Sequence, residues 1–400
     1  MLLPSCCRAR AGLPLLAAAA PPLSQLLLML VAATATQNHP AAAAAAAAPP
    51  GTKVPNFVDA MMEEPNFSLP RYEDTSGSFV VDVTAPHFQA GVNKLQILLP
   101  SGKNPTAAPV RGIVLALPVE AGGTSTKQYG SCIGIIRQHG WATASNMAVV
   151  TPAFSTTPWF ADRGGNSTLP AVRQESYIVD VIVPWLRSGG NGSLPSLRVS
   201  AASSPLSLIG FSKSGWGAFT LWARNPEVFS HGAAMWDTPS MLSEKFCDWL
   251  LLNKGGNLWD MMQVMGNCST WGRYSPFEIV SRGLTPPSPE VGRPKLWLGG
   301  QHYFGAMAAT APKGKSQPPG SPFSHTVDFH ALLQRHSVLH EFNDNLDPGK
   351  HEWSWVWMAR AFEFLAPTRD GLTAAAPTAD GRALGAPQAF AAHSNATSRL

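Results

Sequence analysis

The segment Gly210-Phe211-Ser212-Lys213-Ser214-Gly215 puts a serine where its hydroxyl could act as a nucleophile. The apolar run Leu206-Ser207-Leu208-Ile209 before it predicts a buried strand, and Trp216 to Arg224 after it predicts a helix stopped by Asn225-Pro226. A serine on a sharp strand-to-helix turn sits in a strained backbone conformation, with its hydroxyl presented at the end of the strand. Such a turn needs small residues two before and two after the nucleophile, and Gly210 and Ser214 supply them around Ser212. Centring the turn on Ser214 would bring Trp216 into the second crowded position, so Ser212 is the expected nucleophile. Ser214 stands where the usual pattern has glycine, which makes this turn more crowded than the standard one. The plain alternative is a glycine-rich turn carrying a surface serine.

A serine hydroxyl is a poor nucleophile until a base takes its proton, and the base needs an acid to hold its tautomer. Where the nucleophile lies on this kind of turn, the chain order is Ser, then acid, then His. The expected base is His351, in Asp347-Pro348-Gly349-Lys350-His351-Glu352-Trp353, where a Pro-Gly turn can aim it just before the last helix. Its competitors are His340 within a strand pattern, His302 after the preceding strand, and His325, His330 and His336 in or beside a helix. After Lys295 to Leu298 the chain reads Gly299-Gly300-Gln301-His302-Tyr303, with no carboxylate. After Gly232 to Trp236 it offers Asp237, which is the acid chosen here, with a turn or helix-cap aspartate as the alternative. Asp328 and Asp344 are the fallbacks, and Asp347 is close enough to His351 to be a turn-shaping residue. An oxyanion needs two N–H donors. One is expected from Lys213, and the other from the loop Pro118-Val119-Glu120-Ala121-Gly122-Gly123.

These residues need a sheet to position them. From Phe79 onward, short apolar runs alternate with helical stretches, the pattern of an α/β fold with a mostly parallel sheet. Strands are predicted at Phe79 to Val83, Leu95 to Leu99, Ile113 to Leu117, Ala148 to Thr151, Leu206 to Gly210, Gly232 to Trp236, Lys295 to Leu298 and Val338 to Phe342. Helices are predicted at Gly130 to His139, Gln174 to Leu186, Trp216 to Arg224, Val327 to Arg335 and Trp353 to Leu365. The first two strands have no helix between them and predict an antiparallel start; the rest fit right-handed crossovers. Residues 239–294 are too long for a plain crossover and predict a small lid insertion. Its Trp249, Trp259, Met261, Met262 and Met265 either line an acyl pocket or form the lid's own core.

The chain has 400 residues, 45% hydrophobic and 14% charged, enough to bury a sizeable core in one large domain over 55–366. A net charge of +4 with no basic cluster interleaved with aromatics gives no case for nucleic acid. Residues 1–36 read as a secretory signal peptide: Arg8 and Arg10, an apolar stretch from Leu13 to Leu30, then Ala33-Thr34-Ala35. A membrane anchor or an alanine-rich transit peptide to an organelle such as a plastid is the alternative; after cleavage no stable membrane association is expected. Residues 37–54 are an Ala/Pro linker, 311–322 a Pro/Gly/Lys/Ser loop, and 367–400 a disordered tail. Sequons at Asn66, Asn166, Asn191, Asn267 and Asn395 agree with secretion. Of the cysteines past the signal, Cys247 and Cys268 could pair in an oxidising compartment, which leaves Cys132 buried as a small hydrophobe. No metal-type spacing occurs, and no cofactor is implied.

With these residues in view, the chain resembles the putative-esterase branch of the α/β-hydrolase fold, which includes S-formylglutathione hydrolases, feruloyl esterases and mycolyltransferases. The turn at Ser212 resembles that branch's G-F-S-x-G-G-x-G-A, with Ser214 replacing one glycine. Gly349-Lys350-His351-Glu352-Trp353 with Trp357 is similar to its histidine loop. Pro158-Trp159-Phe160-Ala161-Asp162 followed by Gln174-Glu175-Ser176-Tyr177 is similar to its segment upstream of the turn. The resemblance spans Ile113 to Leu365 and implies Ser212 as nucleophile and His351 as base. The branch's usual acid position is unmatched, so it does not assign Asp237. The expected activity is a secreted serine hydrolase acting on a small-molecule carboxylic ester through an acyl-enzyme. An acyltransferase, a peptidase or a catalytically silent binding protein of the same fold are the alternatives.

Overall fold

Continuous apolar runs, rather than alternating ones, mark strands buried on both faces. A computed structural model describes residues 64–122, 132–163, 172–197, 206–253, 259–283, 295–300, 325–343 and 352–365, all within the compact unit Ala60–Leu400. In it β5 (Gly112–Ala116), β6 (Met147–Pro152), β9 (Leu206–Phe211), β10 (Gly232–Trp236) and β11 (Leu296–Gly299) are buried at every residue. They are flanked by β3 (Ser78–Thr84) and β4 (Val92–Leu98) on one side and by β12 (Glu341–Asn343) on the other. Two short strands, β1 (Asn66–Phe67) and β2 (Arg71–Glu73), pair with β3. The pair β7 (Asp162–Arg163) and β8 (Val172–Arg173) forms a separate ribbon.

The main sheet runs β1-β3-β4-β6-β5-β9-β10-β11-β12. β3, β4 and β6 pair antiparallel, and every pair from β6 through β12 is parallel. From β3 onward this is the strand order of the α/β-hydrolase fold, and the antiparallel start is where the missing crossover predicts it. Within β5 the side chains alternate between two cores: Ile113 and Leu115 face one, Val114 and Ala116 the other. The first core is covered by α4 (Ser212–Arg224), α9 (His325–Arg335) and α3, a helix of α-helical ends Gln174–Ser176 and Val183–Arg187 around a π segment Tyr177–Ile182. The second is covered by α1 (Cys132–Gln138), α2 (Trp141–Ser145) and α10 (Trp355–Leu365).

Between β10 and β11 the insertion contains α5 (Glu244–Asn253), α6 (Trp259–Met265), α7 (Cys268–Tyr274) and α8 (Pro276–Ser281). Met261, Met262, Met265 and Trp271 are buried together with Trp159 and Trp216, so these methionines form the insertion's own core. The Trp249 and Trp259 side chains lie outside the described residues. Cys247 and Cys268 are joined by a disulfide that links α5 to α7. Cys132 is free and buried, and burial pushes its thiol up to about 11. The segments 1–36, 37–54, 311–322 and 367–400 lie outside the described residues, as do Asn166 and Asn395.

Candidate active site

Strand β9 passes into α4 at Ser212 itself, with no intervening loop. Ser212 has φ 52, a left-handed backbone that costs a non-glycine residue about 1–2 kcal/mol. Neighbours hold it there. A Cβ on Gly210 would lie 2.2 Å from the Ser214 carbonyl oxygen, so no side chain fits at that position. Ser214, fully buried, turns its hydroxyl back onto Phe211: Oγ accepts from the Phe211 N–H at 3.0 Å and donates to the Phe211 carbonyl at 2.8 Å. This is the return half of a capping box, the third helical residue satisfying the amide at the helix start. The residue that sequence reasoning treated as crowding is a lock on the turn.

Asp237 comes at the matching position of the neighbouring strand. Phe211 pairs with Trp236 in the parallel register of β9 and β10, so Ser212 and Asp237 are the next residues on each. Asp237 also leaves its strand with a left-handed backbone, φ 46, and is 4% exposed. Its N–H donates to the Gly299 carbonyl at 3.2 Å. The following helix begins only at Glu244, so Asp237 is not a helix cap. The absence of a side chain at Gly300, which has φ 135, makes room for it: a Cβ there would stand 2.7 Å from Asp237 Oδ1, 3.0 Å from its N and 3.1 Å from Thr326 Oγ1. The next residue, Thr238, sets its Oγ1 in the space that a side chain on Gly215 of α4 would need, 1.9 Å from the Cβ position, so the chain leaving β10 packs directly on the helix that follows β9.

Trp353 docks edge-on to both residues that precede the pair, 5.0 Å from the Phe211 ring and 5.5 Å from the Trp236 ring. The Trp236 indole N–H points at the Glu352 carbonyl at 3.5 Å. His351 itself lies outside the described residues, as do His302, Gln301, Asp344 and Asp347. Among the competing histidines, His325 is 2% exposed, its Nδ1 accepts from the Met241 N–H at 3.0 Å, and burial pushes its pKa down to about 3. That ring is neutral and occupied. His330 and His340 meet at 2.7 Å; His340 Nδ1 faces the Val338 carbonyl, so its Nε2 accepts from His330. They clip α9 to the chain entering β12. Asp328 is exposed in the first turn of α9.

On the oxyanion side, Pro118 has no N–H, and the Gly122 N–H is bonded to the Phe154 carbonyl at 2.8 Å. Val119, Glu120 and Ala121 remain as second donors among the described residues of that loop; Gly123 lies outside them. The Lys213 side chain, 15% exposed, forms an ion pair with Asp260 of α6, and its Nζ lies 5.6 Å from the Trp159 ring centre. Sequence reasoning missed Asp260, since nothing local marks it.

The segment upstream of the turn is tied in through buried polar groups. Gln174 Oε1 accepts from the Trp159 and Phe160 N–H groups, both at 2.9 Å. Asp162 accepts from the Ser176 N–H at 3.1 Å and from its hydroxyl, while burial raises its pKa. Glu175 receives Arg224 Nε at 2.9 Å and Nη2 at 3.1 Å, Asn225 Nδ2 at 2.8 Å and the Tyr274 hydroxyl at 2.7 Å. One carboxylate thus joins α3, the end of α4 and the insertion.

No protein-family model matches the sequence, and no curated protein matches it. Solved structures similar to the chain include a fluorophosphonate-binding serine hydrolase F of Staphylococcus aureus (15% identity, 75% of this chain and 100% of that one, TM-score 0.49). Another is an S-formylglutathione hydrolase from Agrobacterium tumefaciens (13% identity, 74% and 96%, TM-score 0.47). A third is MPT51 of Mycobacterium tuberculosis (13% identity, 75% and 96%, TM-score 0.43). The assignment of the fold rests on the strand order given above.

Proposed function

We propose that the chain is a serine hydrolase of the putative-esterase branch, cleaving small-molecule carboxylic esters through an acyl-enzyme. The observation that carries this is the pair of left-handed strand ends at Ser212 and Asp237, side by side in register on β9 and β10. Strain of this kind persists only where its surroundings hold it, and here Gly210, Ser214 and Gly300 do so.

In this mechanism His351 takes the Ser212 hydroxyl proton as the oxygen attacks the ester carbonyl. The Lys213 N–H donates to the oxyanion, and His351 returns the proton to the leaving alcohol. Water then repeats the sequence on the acyl-enzyme. Asp237 holds the imidazole tautomer and balances the charge on the imidazolium. The docking of Trp353, two residues after His351, against the residues preceding Ser212 and Asp237 supports His351 as that base.

The chain acts in the secretory pathway on this reading. The N-terminal pattern, the Cys247–Cys268 disulfide and exposed sequon asparagines at Asn66, Asn191 and Asn267 support it. Asn267 caps α7 through Oδ1, accepting from the Thr270 N–H at 2.8 Å, which leaves its Nδ2 for a glycan.

The test is turnover of p-nitrophenyl butyrate. The proposal expects a burst of nitrophenolate equal to the enzyme, then steady hydrolysis, with both lost in Ser212→Ala. A folded chain with no turnover, or a Ser212→Ala variant that keeps it, sinks the proposal. Loss of mass on treatment with an N-glycosidase, after expression in a secreting cell, tests the location.

A further inference from the structure

The residue beside the candidate nucleophile does not send its charge into solvent. Lys213 is tied to Asp260 Oδ2 and held over Trp159. Only one carboxylate oxygen of Asp260 is engaged; Oδ1 is buried with no partner. Trp159 and Trp216, both 0% exposed, cross at 5.7 Å and 88°, and each leaves its indole Nε1–H buried without a partner. The three unpaired atoms belong to the carboxylate partner of Lys213, to the ring beneath its ammonium and to the ring crossing that one, and Lys213 is the residue that follows Ser212.

Buried polar atoms in folded proteins are nearly always paired, and leaving one unmade costs about 1–3 kcal/mol. Three together point to a group that arrives from outside. Its chemistry follows from what is missing. The Oδ1 oxygen wants a donor and the indole N–H groups want an acceptor, while Lys213 and Asp260 already cancel each other's charge. A neutral hydroxyl meets both needs, whereas an alkyl chain meets neither. Asp260 is also held in place covalently at one remove, because it lies within the loop closed by Cys247 and Cys268.

We infer that Asp260 is a specificity-determining residue that selects esters carrying a hydroxyl group, its Oδ1 accepting the hydroxyl proton beside Ser212. The inference rests on the serine-hydrolase reading. A site built to hydrogen-bond a substrate hydroxyl discriminates against the analogue that lacks it, because its own polar groups are then left unpaired.

The test compares kcat/KM within two matched pairs, each rate corrected for spontaneous hydrolysis. One pair carries the hydroxyl on the acyl side, p-nitrophenyl ω-hydroxyhexanoate against p-nitrophenyl heptanoate. The other carries it on the alcohol side, ethylene glycol monobutyrate against propyl butyrate. The hydroxylated member is expected to win by about tenfold or more in at least one pair. In Asp260→Asn that ratio falls towards one. An amide that keeps its oxygen on Lys213 turns an NH2 towards the hydroxyl's proton. A purely structural Asp260 would lower both members together and leave the ratio alone. A wild-type ratio near one in both pairs overturns the inference whatever the variant does, as does an unchanged ratio in folded Asp260→Asn. Turnover without preference removes only this inference, whereas no turnover of any of the four esters removes the hydrolase reading and this inference with it.

Discussion

At the ends of β9 and β10 the candidate nucleophile and acid are fixed by backbone. Strand register places Ser212 beside Asp237, Gly210 and Gly300 leave no room for alternatives, and Ser214 closes the turn with two hydrogen bonds. The insertion is fixed by side chains instead. A disulfide joins α5 to α7, Thr220 donates to the Tyr274 carbonyl at 2.9 Å, and Glu175, Arg224 and Lys213 reach α6 and α7 through charged groups. A register shift of one residue flips every side chain of a strand, so the first region tolerates little change. The second is held by several separate side-chain links, none of which sets the register of a strand. Chemistry is thus assigned to the rigid region and selectivity to the adjustable one.

Second only to the loss expected of Ser212→Ala, the largest effect of a single exchange in the rigid region is expected of Asp237→Asn. If Asp237 is the acid, kcat for p-nitrophenyl butyrate falls about 10³–10⁴-fold with folding intact by circular dichroism. A loss under tenfold would move the acid elsewhere and break the contrast. In the insertion, Cys247→Ser with Cys268→Ser should cost about 3 kcal/mol of stability in denaturant titration, from opening a loop with a sequence separation of 21. Burst amplitude from Ser212 should survive in the fraction that remains folded; its loss there would show that the two regions are not separable.

Gly300→Ala sharpens the contrast from the rigid side. Its new methyl would press on Asp237 Oδ1, so kcat should fall about 10–100-fold with KM nearly constant. An unchanged kcat would mean that the carboxylate has slack. A pH-dependent effect concerns His325, which joins α9 to the start of the insertion through the Met241 amide. Its folded pKa of about 3 lies below the ordinary 6.5, so the unfolded chain binds the extra proton first. Stability is therefore full above about pH 6.5 and declines as pH falls towards 3, by up to about 1.4 kcal/mol per unit. Thermal melts of wild type and His325→Gln between pH 7 and 4 should converge as the pH drops; parallel curves would remove this role.

Much of the rigid region was legible in the sequence. Apolar runs fixed the strands to within a few residues at most ends, because a strand buried on both faces cannot be written any other way. Ser212 could be read from the change of period across the turn, and Asp237 from its place just after an apolar run. The role of Ser214 was not legible, since a hydroxyl that locks a turn and one that crowds it are the same letter. Gly300 was visible only as half of a glycine pair in a loop lacking a carboxylate; that pair was the one signal of something close above it. The insertion was legible as a length and little more. The four helices described in it are short, and the partnership of Lys213 with Asp260 spans 47 positions with no local mark. Side-chain links between distant segments leave no periodicity to read.

The central claim is that Ser212 is an activated nucleophile. Incubation of the purified chain with a fluorophosphonate probe, followed by peptide mass mapping, tests it most directly. The account predicts one adduct per chain on the peptide containing Ser212, at a rate that falls as pH drops through the range where an imidazole gains its proton, and no adduct in Ser212→Ala. A well-folded chain that takes up no probe, or that carries it on another residue, would contradict it.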